Sequence, residues 1–282
     1  SSVDIISIGP GYNISSANYD SVSFSVGSQD TDPLSVTFKG DGTKIFIMGN
    51  TNKTLYQYSL PTAYILTGAS YDSVSFSVNS QDTNPYSMEF NSDGTKMFVT
   101  GNANDNVYQY SLSTPYILTG ASYDSVSFSI GGQDVLPRSI LFNGDGTKMF
   151  MLGALSNTVY QYSLPTAYIL TGASYDSVSF SVSSQDSLTH SMEFNGDGTK
   201  MFILGDSGNS IYQYSLSTPY ILTGASYDSV SFNVGGQDSS PRSLAFNGDG
   251  TKLIMLGDTN NTVYQYSSTG SLSGSAFATI NY

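Results

Sequence analysis

The chain's only two glutamates, Glu89 and Glu193, sit at the same place in two copies of the motif Ser-Met-Glu-Phe. Two carboxyls at a fixed separation are the equipment of glycoside hydrolysis, where one acid protonates the leaving group and the other activates water or attacks directly. The matching positions in three further copies hold Thr37, Leu141 and Ala245, so the pair is not a feature of the motif itself. The single histidine, His190, has no neighbouring Cys, Ser or carboxylate motif that would mark a nucleophilic triad. Every copy also carries Gln-Asp, ending in Asp30, Asp82, Asp134, Asp186 and Asp238. These aspartates either cap their own turns by accepting backbone N–H bonds or form a ring of carboxylates able to hold a hard cation such as calcium. Four residues after each Asp the side chain changes completely, through Leu34, Tyr86, Arg138, His190 and Arg242. Arg and His donate to hydroxyls or carboxylates, and Tyr stacks on the apolar face of a sugar. The four polar members and the five aspartates are the candidate ligand-binding residues.

Composition narrows the chemistry. The absence of cysteine removes disulfides, thiolate nucleophiles and Cys-ligated metals together. A net charge of −13 repels a phosphate backbone, so nucleic acid is not an expected partner. No apolar run approaches the roughly 18 to 20 residues of a membrane-spanning helix, and no membrane insertion is expected. Only 11% of the residues are charged, which leaves a neutral-polar surface suited to an extracellular, cell-surface or virion setting.

These residues must be positioned by a repeat. Tyr19, Tyr71, Tyr123, Tyr175 and Tyr227 open near-identical Tyr-Asp-Ser-Val-Ser-Phe segments at a constant spacing of 52. Within one unit, four pieces alternate with the period of two expected of strands: Leu34 to Phe38, Lys44 to Gly49, Thr54 to Leu60 and Asp72 to Val78. Asp-Gly between the first two supplies the positive φ of a tight hairpin. The longer third link, Pro-Thr-Ala-Tyr-Ile-Leu-Thr-Gly in the first unit, is expected to tuck its Tyr, Ile and Leu against the outer edge of the sheet. No segment carries a helical stripe, so the chain is all-β.

Four antiparallel strands repeated five times predict a five-bladed β-propeller, one domain over residues 1–282 with repeats within 19–278. The pattern Pro-x-Ser-x-x-Phe-x-x-Asp-Gly-Thr-Lys followed by Tyr-Gln-Tyr resembles WD40-like and YVTN-like propeller repeats over residues 19–267, without the Gly-His and Trp-Asp dipeptides of true WD40 units. The resemblance implies the fold and leaves function open. Repeats of this style also look like those of predicted marine bacterial and phage surface proteins, which implies a cell-surface or virion setting. In such a disc Glu89 and Glu193 become channel-lining or edge residues. Surplus strands are expected at 1–18 and 268–282. Either the N-terminal Tyr-Asp-Ser-Val-Ser-Phe-Ser-Val completes the fifth blade, or the C-terminal Ser275 to Tyr282 does and the N-terminal segment pairs elsewhere. Tyr pairs such as Tyr56 with Tyr58 share one side of the third strand and pack between blades.

The repeats differ mainly in the fourth-to-first and second-to-third links, which share one face of the disc. The hairpin and long-link face is nearly monotonous. Loops that vary on a rigid scaffold commonly carry recognition. The expectation is therefore a non-enzymatic, surface-exposed module that binds glycan or another cell-surface ligand multivalently, with no cofactor beyond calcium. The alternative is a structural or decorating protein of a virion or extracellular assembly that docks other subunits through its terminal strands.

Overall fold

The computed structural model describes residues 11–268. Chain order alone builds four of the blades. The first holds β2 (Pro33–Phe38), β3 (Lys44–Gly49), β4 (Thr54–Ser59) and β5 (Ser70–Ser77). The second holds β6 (Pro85–Phe90), β7 (Lys96–Gly101), β8 (Asn106–Leu112) and β9 (Ala121–Ser129). The third holds β10 (Pro137–Phe142), β11 (Lys148–Gly153), β12 (Thr158–Ser163) and β13 (Ser174–Ser181). The fourth holds β14 (Thr189–Phe194), β15 (Lys200–Gly205), β16 (Ser210–Ser215) and β17 (Ser226–Asn233). The fifth combines β18 (Pro241–Phe246), β19 (Lys252–Gly257) and β20 (Thr262–Ser268) with the N-terminal β1 (Ala17–Ser25). All neighbours are antiparallel, and the architecture is the expected five-bladed propeller.

Of the two closures, the N-terminal one holds: β1 pairs β20 from Ala17↔Ser268 to Ser25↔Thr262. The segment before β1 takes part too. Tyr12 donates from its backbone N to Gly250 O at 2.8 Å, as Tyr64 N does to Gly42 O at 2.9 Å. The N-terminus thus supplies the end of the fifth long link as well as its fourth strand. The segments Val3 to Ile8 and Ser275 to Tyr282 lie outside the described residues.

The blades bury their faces on one another. Inner-strand phenylalanines meet second-strand ones across four of the five junctions, as Phe46 with Phe90 (4.7 Å between ring centroids) and Phe98 with Phe142 (4.5 Å), while Ile254 takes the second-strand place at the fifth. Such tilted aromatic pairs add to the area they bury. Tyr58, Tyr110, Tyr162, Tyr214 and Tyr266 are fully buried. Each donates its hydroxyl to the Gln of a Gln-Asp motif, as Tyr58 to Gln29 Oε1 at 3.2 Å. The Gln is therefore there to satisfy a phenol that the core would otherwise strand.

The outer strand is not the uninterrupted run its sequence suggests. Register shifts between Gln57 and Tyr58 because Ser73, at φ 58°, forms a bulge, and the same residue does so in each copy. The bulge re-aims Asp72 inward, a common use of such defects. There Asp72 accepts from Lys44 Nζ (2.7 Å), Gln57 Nε2 (2.7 Å) and Ser59 Oγ (2.6 Å). The fifth latch joins the chain's two ends, Asp20 accepting from Lys252 Nζ at 2.9 Å and Gln265 Nε2 at 2.6 Å. Gln265 Oε1 in turn accepts from Leu66 N of the next blade at 2.8 Å, and Gln57 from Leu118 N at 3.1 Å, so each latch also ties neighbouring blades together.

The long link departs from its expected place at the outer edge. Leu66, Leu118, Leu170 and Leu222 are buried within the hydrophobic core clusters. The link tyrosines lie over the inner hairpins instead: Tyr116 donates to Asn91 O and Ser92 O at 3.1 and 2.8 Å. Gly94, at φ +71°, leaves room for that ring, since a Cβ there would fall 2.0 Å from Tyr116.

Candidate functional site: the central channel and its two mouths

The five inner strands line a channel, and the sequence candidates fall at three levels of it. Outermost, on the variable face, lie the aspartates, each buried to between 1% and 4% exposure. Asp30 accepts from Asp32 N and Thr51 N at 3.0 Å through Oδ1, and from Asn52 N at 2.9 Å through Oδ2. Asp134, Asp186 and Asp238 likewise bind both links of their own blades, and Asp82 Oδ1 accepts from Asn84 N and Ala103 N. The carboxylate thus ties the fourth-to-first link to the second-to-third link, the capping alternative raised from the sequence. Among the described residues no three carboxyl or imidazole groups approach closely enough to hold a metal, so the five do not converge into a ring.

The second level is the rim of the channel at that face, where the variable position places Leu34, Arg138, His190 and Arg242 along one narrow cavity of about 10 Å³. Both arginines and the only histidine of the chain gather there. Arg242 makes an ion pair with Asp258 (2.9 Å) and donates from Nη1 to His190 Nε2 at 3.0 Å, while Asp206 lies 3.5 Å from the same imidazole nitrogen. Accepting that bond requires a neutral ring, and burial, followed by the charges of Arg242 and Arg138, holds the His190 pKa below its usual value against the pull of Asp206. Arg138 lies over the Tyr86 ring with its guanidinium carbon 3.8 Å from the centroid, a cation–π contact. Its Nε and Nη1 are buried and have no acceptor. Burial, and then the charge of Arg242, lowers its pKa to about 10, which leaves it cationic at neutral pH.

At the third level, Glu89 and Glu193 face the channel interior. Below the rim the inner strands are stitched by serine hydroxyls, as Val36 N donates to Ser243 Oγ at 3.1 Å. Deeper still, Glu89 and Glu193 line the narrow cavity and also a wider one of about 250 Å³ that opens on the hairpin face. Ser92, Asn143, Tyr168 and Tyr220 complete its wall, and no Lys, Arg or His takes part. Burial raises the Glu89 pKa to about 7, opposed by a hydrogen bond from Phe90 N at 2.9 Å. Burial and then the charge of Glu89 raise Glu193 well above the usual carboxyl range. Both carboxyls therefore hold their protons more tightly than solvated ones do, the kind of tuning that acid–base catalysis uses.

Sequence reasoning placed Glu89 and Glu193 in the channel and missed the cavity they serve. It followed variation between repeats to the opposite face, whereas the wider opening is built from the nearly constant Asn-Gly-Asp-Gly hairpins and the link tyrosines. The available signal was the two-blade spacing of the only glutamates, which puts them across a five-membered ring rather than side by side.

No family model and no curated protein matches the chain. Solved structures do share its fold. A functionally unknown protein from Desulfotomaculum acetoxidans is 15% identical with a TM-score of 0.50, over 80% of this chain and 62% of that one. A putative 6-phosphogluconolactonase from Bacteroides uniformis is 13% identical at a TM-score of 0.51, over 83% of this chain and 67% of that one. A second putative 6-phosphogluconolactonase, from Bacteroides fragilis, is 10% identical at 0.50, over 83% and 66%. The chain thus spans about two thirds or less of the length of these structures. At such identities the likeness is one of fold, a β-propeller repeat, and no family match singles out WD40 or YVTN repeats. The expectation of a non-enzymatic glycan-binding or assembly module is corrected by these neighbours, two of which are described as putative 6-phosphogluconolactonases.

Proposed function

We propose that the chain is a hydrolase that opens an uncharged lactone or ester in the wide cavity, with Glu89 as general base and then general acid, and protonated Glu193 as hydrogen-bond donor to the oxyanion. The observation that supports this reading is the pairing of the chain's only glutamates in one cavity of about 250 Å³, their carboxyl pKa values both raised by burial. The putative 6-phosphogluconolactonases among the neighbours suggest the bond, a cyclic ester. A phosphate on the substrate would meet no cation in this cavity, so the substrate is taken to be uncharged.

The Glu89 carboxylate takes a proton from water as the water oxygen attacks the acyl carbon. The Glu193 O–H donates a hydrogen bond to the carbonyl oxygen, where negative charge develops. Collapse of the tetrahedral intermediate breaks the bond between acyl carbon and alkoxy oxygen, and the departing alkoxide takes the proton held on Glu89. The products are a hydroxy acid and the regenerated pair.

A panel of uncharged γ- and δ-lactones and aryl esters, followed from pH 5 to 9, tests this. The rate is expected to rise through about pH 7 as Glu89 ionises and to fall at higher pH as Glu193 loses its proton. Glu89→Gln should lower kcat by about 10² or more. Hydrolysis that is unchanged in both Glu89→Gln and Glu193→Gln, or absent throughout the panel, overturns the proposal.

A further inference from the structure

Among the described residues the rim carries one cation with no counter-charge, Arg138, and comparison of the blades shows why. Arg242 is neutralised by Asp258, sixteen residues on in its own blade. The residue sixteen after Arg138 is Ala154, and one repeat later the same position is Asp206, which serves His190. The third blade thus presents the arginine and omits the carboxylate. The omission is felt at buried atoms, since Arg138 Nε and Nη1 have no acceptor. An unpaired buried donor is costly, and an unpaired buried charge more so.

The surface beside this gap is also unlike the rest. Val135, Leu155 and Leu188 are the exposed large hydrophobic side chains among the described residues, at 47%, 65% and 39% exposure. Leu155 adjoins Ala154 in sequence, and Ala154 N donates to Leu136 O at 2.9 Å, which brings the link carrying Val135 alongside. Asn157 Nδ2 donates to Ser187 O at 3.2 Å, so the link of the next blade, with Leu188, borders the same surface.

We propose that the third blade binds a monocarboxylate with an apolar tail, its carboxylate standing where Asp258 stands in the fifth blade and pairing with Arg138, its tail lying on Leu155, Val135 and Leu188. The missing group is a side-chain carboxylate, so the ligand's head is a carboxylate of unit charge rather than a phosphate. Tyr86 covers one face of the guanidinium. This site lies at the opposite mouth from the glutamate pair and does not depend on the hydrolase reading.

Titrations of the whole chain with acetate, butyrate and hexanoate at constant ionic strength, followed by calorimetry and by the Arg Nε–H resonances, with chloride as control, test it. Saturable binding is expected for the carboxylates and not for chloride, tightening about tenfold or more from acetate to hexanoate as methylenes are buried. Ala154→Asp supplies the missing carboxylate from within the chain. It should fold, raise the melting temperature and weaken hexanoate binding by at least about tenfold. Leu155→Ser should leave acetate binding unchanged and remove most of the chain-length dependence. Hexanoate binding that is equally tight in Ala154→Asp, or no carboxylate effect beyond that of chloride, overturns the proposal.

Discussion

Replacing Glu89 by Gln should change how the stability of the disc depends on pH. Burial raises the Glu89 pKa from 4.5 to about 7 in the folded chain. The folded state therefore holds this proton more tightly than the unfolded state does. The resulting stabilisation is complete below pH 4.5 and is lost as pH rises through about 7. At about 1.4 kcal/mol per pKa unit, moving from 4.5 to about 7 corresponds to roughly 3 kcal/mol in all. Of this, less than about 1 kcal/mol is already gone at pH 5 and nearly all at pH 8, so about 2–3 kcal/mol falls between those two values. Gln carries no titrating proton and should lack this loss. Urea unfolding of both proteins at pH 5 and pH 8 isolates the effect as a difference of differences, in which the titration of groups that do not feel the Glu89 charge cancels. The wild type should lose about 2–3 kcal/mol more than Glu89→Gln across that interval. Parallel losses in the two proteins would show that Glu89 titrates as an ordinary solvated carboxyl and would remove the basis for a base working near pH 7.

Asp30→Ala strips the acceptors from three backbone N–H groups of the paired links and should cost about 2–4 kcal/mol in urea unfolding without altering the hydrolysis expected at the other mouth. The latch aspartates, among them Asp72 and Asp20, keep depressed pKa values because bonds from Gln, Lys and Ser outweigh the opposing effect of burial. Their contribution is present above the ordinary Asp value of 3.8 and is lost as pH falls through the folded values. Acid unfolding followed by circular dichroism should therefore begin at a higher pH in Asp72→Asn than in the wild type. Because Ser268 and Gly11 correspond by the 52-residue period to Leu60 and Ala63, a permutant opened between Gly27 and Ser28, with Ser268 joined to Gly11 through Pro-Thr, should fold to the same disc. Loss of the β-sheet circular dichroism or of cooperative melting in that permutant would contradict the N-terminal closure.

Much of this fold is legible in one unit of the sequence. Strand bounds such as Lys44–Gly49 follow directly from alternation and from the Asp-Gly turn that precedes them. The bulge at Ser73 is not legible, because a polar pair inside an alternating strand reads equally well as two solvent-facing residues; its purpose becomes visible only when Lys44 and Gln57 arrive from two other strands. The Gln-Asp motif is half legible. Capping by Asp30 is local chemistry, but Gln29 answers a buried Tyr58 that lies 29 residues away. At the channel, sequence variation pointed to Arg138 and Arg242 as equivalents. What separates them is a partner sixteen residues downstream, present as Asp258 and absent at Ala154, a comparison that has meaning only once the two links are known to touch.

The closure by β1 also sets the order of events during synthesis. The first described strand leaves the ribosome with no partner until β20 follows, and Asp20 meets Lys252 across 232 residues of chain. Open arrays of repeats can melt inward from either end. Here the first and last described strands are held in one sheet, so loosening either of them opens the fifth blade and both of its interfaces. The ring should be slow to assemble, as folds dominated by distant contacts are. Once closed, it should open only by breaking that sheet, which gives a chain without disulfides a kinetic resistance to proteases and heat.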